Sequence, residues 1–280
     1  MSKETSATPT SGGMPVRHMR VWRGDKNGGE FVDYQVEEDK GVVVLDMIHK
    51  IQETQAGDLA CRWNCKAGKC GSCSMEVNGK PKLGCMTRMS DYPAEQTITV
   101  QPLKAFPVIK DLVTDVSWNF RQKERIPAFT PPPRAADPTM ASGQADYNMK
   151  QEDVDRVQEF RKCIECFLCQ DTCHVLRDHD RKDKFVGPRF MIHLAQLEMH
   201  PLDTLDRIPL IKNNFGSGMC NINKCCTDVC PEHIHITDNG IIPLKERVVD
   251  RYYDPLLMAL RAFGIMKVTK KPVDEVPPRA

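Results

Sequence analysis

The thirteen cysteines of this 280-residue chain fall into three dense groups, and no other feature limits the possible folds as tightly. The first group is Cys61, Cys65, Cys70, Cys73 and Cys85. The second is Cys163, Cys166, Cys169 and Cys173. The third is Cys220, Cys225, Cys226 and Cys230, followed by Pro231. Thiolates at such spacings hold iron–sulfur clusters, whose usual work is one-electron transfer.

Composition agrees with a chain that is stapled rather than thickly cored. Aromatic residues make up only 6% of it, and bound clusters can add folding free energy where apolar burial is thin. An odd number of grouped cysteines does not resemble a disulfide framework, so a reducing compartment fits best. The net charge of +1 gives no bulk attraction for nucleic acid. No apolar run approaches the length of about 18 residues needed to cross a bilayer. Residues 1–15 are rich in Ser, Thr, Gly and Pro with no apolar core, so they read as disordered and not as a secretory signal.

The remainder divides by pattern. Val16–Arg23 and Phe31–Glu37 alternate apolar and polar residues, as half-buried strands do, with a turn at Gly24, Asn27, Gly28 and Gly29. Val44, Leu45, Ile48 and Ile51 lie at helical spacing. Ser72–Val77, Asn78-Gly79 and Pro81–Cys85 predict a hairpin, and Thr97–Gln101 one more strand. Residues 16–125 therefore read as a small α+β domain. Residues 126–149 carry five prolines (Pro127, Pro131, Pro132, Pro133 and Pro138) and read as a linker. Residues 150–255 read as helices around clusters, with helical stretches at Phe190–Leu197 and Pro243–Tyr253, and 256–280 as a C-terminal tail.

Cys65-x4-Cys70-x2-Cys73, with Cys85 beyond, is the plant-type spacing for [2Fe–2S]. Gly68 and Gly71 would let the backbone approach the sulfides. Four cysteines also suit tetrahedral zinc, but the x4 spacing in a strand–helix–strand context favours the cluster. Cys61 lies off this template and reads as a buried, unreactive thiol. Cys163-x2-Cys166-x2-Cys169-x3-Cys173 repeats the bacterial two-cluster run, in which the fourth cysteine serves the other cluster. The third group fits the same template as Cys220-x2-Asn223-x2-Cys226-x3-Cys230-Pro231, with Asn223 in place of the second cysteine. Crossing the fourth ligands gives Cys163, Cys166, Cys169 and Cys230 for [4Fe–4S]. It leaves Cys173, Cys220 and Cys226 for a cluster one thiolate short, [3Fe–4S]. Cys225, adjacent to Cys226 and off the template, is then spare unless a shifted loop recruits it.

These three groups in this order resemble the iron–sulfur subunit of succinate dehydrogenase/fumarate reductase, and Phe185-Val186-Gly187-Pro188 adds to the likeness. The resemblance spans roughly residues 16–254. It implies an N-terminal plant-type ferredoxin (β-grasp) domain followed by an α-helical bacterial-ferredoxin-like domain. It also implies a flavoprotein subunit carrying FAD, membrane-anchor subunits, and a quinone at the anchor interface. The chain would lie peripherally on the cytoplasmic face of a bacterial inner membrane and be unstable without its partners. Ubiquinone-reacting members commonly have Pro after the equivalent of Cys173 and a Trp shortly beyond. Here the run is Cys173-His174-Val175-Leu176-Arg177-Asp178, and Asn221 stands where a His usually follows Cys220. A menaquinone-linked complex, or one whose anchor subunit supplies the whole quinone site, is the expectation.

His174 beside Cys173 is a candidate quinone neighbour, against the plainer reading of a solvent-facing histidine. Asp178–Lys184 reads as a solvated charge run. Leu256, Leu257, Met258, Leu260 and Phe263 form an amphipathic stretch whose default is core packing, with docking on a partner as the alternative. No catalytic triad, phosphate loop or zinc-protease motif stands out, so no substrate site is expected on this chain. Two competing functions remain. The iron–sulfur partner of a glycerol-3-phosphate or glycolate dehydrogenase usually has two complete four-cysteine runs, and Asn223 breaks the second. A non-redox zinc-binding module would be colourless.

Overall fold

A computed structural model describes residues 15–273; most of the expected N-terminal segment and residues 274–280 lie outside the described residues. The N-terminal half is a seven-stranded sheet crossed by one helix. β1 (Val16–Asp25) and β2 (Gly28–Glu37) pair antiparallel along their whole length. α1 (Val44–Thr54) follows, then the hairpin β3 (Ser74–Val77) and β4 (Lys80–Leu83), then β5 (Ile98–Gln101). β5 runs parallel to β1, with Met19 opposite Ile98, and antiparallel to β3. Short strands β6 (Val108–Lys110) and β7 (Val113–Thr114) extend the far edge. Met19 and Val21 of β1, Val36 of β2 and Val100 of β5 meet Val44, Met47, Ile48 and Ile51 of α1 in a closed core. Each such side chain contributes about 1.5–3 kcal/mol by leaving water. Val44, Ile48 and Ile51 follow the helical periodicity read from the sequence, while Leu45 packs in the other core and Met47 joins this one; the mixed sheet and helices make the chain α+β.

Two details differ from the sequence reading. The turn is Lys26-Asn27, and Gly28 and Gly29 belong to β2. Gly29 is there for close approach, since a Cβ on it would meet the Arg23 carbonyl oxygen at 2.3 Å. α2 (Ser117–Glu124) was invisible to periodicity because the residues it buries, Asn119 and Gln122, are polar.

The C-terminal half is helical. α3 (Gln151–Gln158) leads into short helices α4 (Leu168–Asp171) and α5 (His174–Arg177) beside the second cysteine run. α6 (Pro188–Glu198) starts from Gly187, whose φ of 86° favours glycine, with Pro188 in the first turn. It buries residues on every side and forms the centre of this half. After β8 (Leu205–Asp206), α7 (Ile208–Asn213), α8 (Cys225–Asp228) and α9 (Ile242–Tyr252) complete the packing. The core is continuous with the N-terminal half: Leu45, Leu83, Leu103, Phe106 and Ile126 join Phe160, Leu176 and Phe190.

Residues 126–149 contain no helix or strand, only an isolated bridge between Ala136 and Gln144. Their start is pinned by Arg207, which donates to the carbonyls of Pro127 at 2.6 Å and Ala128 at 2.8 Å. The Asp178–Lys184 run pairs with itself at the surface, Lys182 with Asp180 and Arg181 with Asp183. Core packing of the stretch after Asp254 is not what the structure shows. α10 (Pro255–Ala262) buries none of its residues, and Leu256 and Phe263 are 67% and 80% exposed. The helix is capped by the Asp254 carboxylate on the Leu257 N–H at 2.9 Å and packs against α9. The chain then returns so that β9 (Lys271–Pro272) pairs parallel with β8. Among the described residues no helix is long and apolar enough to cross a membrane.

Candidate iron–sulfur sites

The first cysteine loop lies between α1 and β3. Lys66, Gly68 and Gly71 have φ of 52°, 68° and 70°, so the chain curls in the left-handed sense three times. That curl aims backbone donors at sulfur: the N–H groups of Ala67 and Lys69 each reach Cys65 Sγ at 3.3 Å. From the hairpin side the Cys85 N–H donates to Cys73 Sγ at 3.4 Å. The Ser72 hydroxyl and the Cys65 backbone hold the Cys70 thiol down at about 6. Burial, with the neighbouring Cys85 and Cys70 thiols, pushes Cys73 up to about 12. Cys65, Cys70, Cys73 and Cys85 thus form one interacting set. Cys61 is not in it; burial alone pushes its thiol up to about 12.

The second and third loops repeat one backbone design. Glu165 and Phe167 flank Cys166 with φ of 55° and 61°, and Ile222 and Lys224 flank Asn223 with φ of 62° and 62°. A short helix follows each pair, α4 after Phe167 and α8 after Lys224. Asn223 therefore occupies the backbone position of Cys166, Cys226 that of Cys169, and Cys225 that of Leu168. Non-glycine residues in the left-handed region cost on the order of 1–3 kcal/mol each and persist only where the surroundings demand them.

The second and third cysteine groups share two cavities. Cys163, Cys166, Cys169 and Cys230 line one apolar cavity with Phe167 and Ile192. Burial raises the Cys169 thiol well above its ordinary value, with Cys166, Cys163, Cys226 and Cys230 adding to the rise. Cys173, Cys220 and Cys226 line another cavity, the third of the cysteine sites, with His174 and Asn223. Burial pushes Cys173 up to about 12 and Cys226 to about 11. Cys225 lines this cavity too, and its thiol donates to Asn223 Oδ1 at 3.5 Å. It is spare in the backbone template but close to the other sulfurs. His174 sits at the rim, its Nδ1 3.1 Å from Asn223 Nδ2.

Sequence reasoning missed the groups that support these loops. The Ser74 hydroxyl bridges the carbonyls of Gly71 at 2.8 Å and Cys166 at 2.9 Å, tying the first loop to the second. Lys69 reaches across to Glu232 at 3.0 Å. The Thr237 hydroxyl lies 3.4 Å from Cys226 Sγ, and Lys245 donates to the Cys220 carbonyl at 2.8 Å. None belongs to a motif, and only the folded chain brings them near sulfur.

The donor sets fit iron–sulfur clusters. All thirteen thiols are free of disulfides. The buried sulfurs among them would repel one another once ionised, and bound iron would remove that penalty by holding each as a thiolate. Among the described residues no three His, Cys, Asp or Glu side chains are arranged to hold a single metal ion.

Known proteins carry the same features. Residues 18–121 match a 2Fe-2S iron-sulfur cluster binding domain, and residues 159–234 match a 4Fe-4S dicluster domain. The chain is 34% identical over 209 residues to a fumarate reductase iron-sulfur subunit of Mycobacterium tuberculosis, covering 73% of this chain and 80% of that one. It is 29% identical over 217 residues to an uncharacterized iron-sulfur protein of Methanococcus maripaludis, covering 76% of this chain but only 41% of that longer relative. A chain of the Mycobacterium smegmatis Sdh1 complex in the apo form superposes with a TM-score of 0.82 at 59% identity, covering 87% of this chain and 100% of that one.

Proposed function

Because the chain belongs to the iron–sulfur subunits of the succinate dehydrogenase/fumarate reductase family, we propose that it carries electrons between the FAD of a flavoprotein subunit and a quinone held at a membrane-anchor subunit. The N-terminal domain is read as the plant-type ferredoxin (β-grasp) unit, residues 16–125, and the helical domain as the bacterial-ferredoxin-like unit, residues 150–255. Cys65, Cys70, Cys73 and Cys85 would hold [2Fe–2S]. Cys163, Cys166, Cys169 and Cys230 would hold [4Fe–4S], and Cys173, Cys220 and Cys226 would hold [3Fe–4S]. When bound, the clusters supply one-electron carriers.

The chain's own residues do the rest. The observation that supports the reading is that Cys230 lines a cavity with the second run, and Cys173 lines one with the third group. The first loop is fastened to the second by Ser74, so three carriers would stand in series. The exposed face around Cys65, with Trp63, Met86 and Phe120 at the surface, suits a flavoprotein contact. His174 and Asn223 at the rim of the third cavity suit the quinone end, on the cytoplasmic face of the membrane. With no Trp after Cys173, menaquinone is the proposed acceptor.

The test is the intact complex. Redox-titrated EPR should resolve three signals, and Cys70→Ser, Cys166→Ser and Cys226→Ser should each remove a different one. Two signals lost in one variant, or none in any, would break the assignment. Succinate-dependent reduction of a menaquinone analogue should outrun that of a ubiquinone analogue; the reverse order would sink the menaquinone reading.

A further inference from the structure

We infer that Arg189 sets the reduction potential of the second cluster, by placing a buried positive charge and a free N–H donor at the cavity of Cys163, Cys166, Cys169 and Cys230. This rests on the reading of that cavity as the [4Fe–4S] site. Arg189 is the second residue of α6, directly after Pro188, and is only 7% exposed. Its side chain lines the cavity together with the four cysteines. One end of the guanidinium is held: Nη2 donates to Glu165 Oε1 at 2.7 Å. Nε is buried and has no acceptor among the described groups. An arginine kept only for structure would be expected to satisfy every buried donor, because an unmade buried hydrogen bond costs about 1–3 kcal/mol. A cluster sulfur in the cavity would be the acceptor that Nε lacks.

The surrounding charges leave Arg189 uncancelled. Glu165, in the loop between Cys163 and Cys166, also accepts from Lys123 of α2 at 2.6 Å. Two cations therefore share one carboxylate, and the net charge of the trio is positive. Glu232, the carboxylate that lines the cavity, is paired with Lys69 at 3.0 Å. Reduction adds one negative charge to the cluster. A buried cation and a hydrogen bond to sulfur both favour the reduced form and raise the potential. Lys123 is largely exposed and screened by water, so Arg189 dominates.

The experiment is an EPR redox titration of the intact complex with Arg189→Gln, Arg189→Lys and Glu165→Gln. In Arg189→Gln the ratio of reduced to oxidised [4Fe–4S] at a fixed ambient potential should fall at least tenfold, a midpoint drop of about 59 mV for one electron. Arg189→Lys keeps the charge and should move less. Glu165→Gln removes the compensating carboxylate and should move the midpoint upward. The first and third clusters should stay near their parent midpoints in all three. If Arg189→Gln assembles poorly, Glu165→Gln and Arg189→Lys still decide. An unchanged second midpoint, or a downward move in Glu165→Gln, overturns the inference. A parent complex with no four-iron signal would instead overturn the reading of the cavity.

Discussion

Gly71 approaches Cys166 so closely that a Cβ on it would lie 2.7 Å from the Cys166 Cα. The first cysteine loop is thereby pressed against the backbone of the second, and Ser74 fixes the contact with its bridge to the Cys166 carbonyl. No side chain fits between them. The distance between two carriers controls electron transfer, so this glycine belongs to the function as much as to the fold.

Gly71→Ala should therefore be costly twice. Its φ of 70° is disfavoured for alanine, at about 1–3 kcal/mol, and the clash with Cys166 backbone adds to that. Gly79, at φ 73° with nothing near its Cβ position, is the control. Gly79→Ala should lower the thermal midpoint modestly, whereas Gly71→Ala should also weaken the magnetic interaction between the first two clusters in EPR. Equal effects of the two variants would contradict the packing argument.

Arg207 and Asp203 are both fully buried and pair at 2.6 Å, while Arg207 also holds the Pro127 and Ala128 carbonyls. Arg207→Met should cost about 3–5 kcal/mol, because it strands a buried carboxylate. Limited proteolysis should show faster cleavage within residues 126–149. Adding Asp203→Leu should recover part of the loss; a double variant no better than the single would argue against the stranded charge.

Asn223 stands at the backbone position of Cys166, so Asn223→Cys should bring a fourth thiolate to the third cavity. The oxidised [3Fe–4S] EPR signal should vanish, iron content should rise by one per chain, and quinone reduction should slow while flavin reduction continues. Survival of the signal would show that this position does not decide nuclearity.

Cys225 and Cys61 should be dispensable to all three clusters. Cys225→Ser is the sharper test, since its thiol lines the third cavity. Three intact EPR signals are expected. Loss of the third in a folded variant would make Cys225 a ligand.

His193 of α6 is lowered to about 4 by burial and by the Arg189 and Lys123 charges. Its folded value lies below 6.5, so the unfolded chain takes up the proton first as pH falls. The stability it contributes is complete above pH 6.5 and is lost on descending towards 4, on the order of 3 kcal/mol at most. Asp171 works the other way in an overlapping window. Burial, aided by Glu76, pushes it up to about 7, so its stability falls as pH rises from about 4 to 7. The difference between His193→Gln and parent cancels Asp171. It should be flat above pH 6.5 and favour the variant progressively below; a constant difference would refute the buried neutral histidine.

The sequence by itself determined the three groupings of cysteines, the α+β class and the stripe of α1, because spacing and periodicity are local properties written along the chain. It also marked Asn223 as the break in a repeated template. Only the tertiary structure decided that Gly71 touches Cys166, that Cys225 lines the cavity of Cys173, Cys220 and Cys226, and that Arg189, whose Nε is buried without a partner, lines the cavity of Cys163, Cys166, Cys169 and Cys230. α2 shows why: it buries Asn119, whose side-chain oxygen accepts from Gln170 Nε2 at 3.1 Å, 51 residues away. Polar residues become interior ones only when a distant segment satisfies their hydrogen bonds, and no local pattern records where that partner will be.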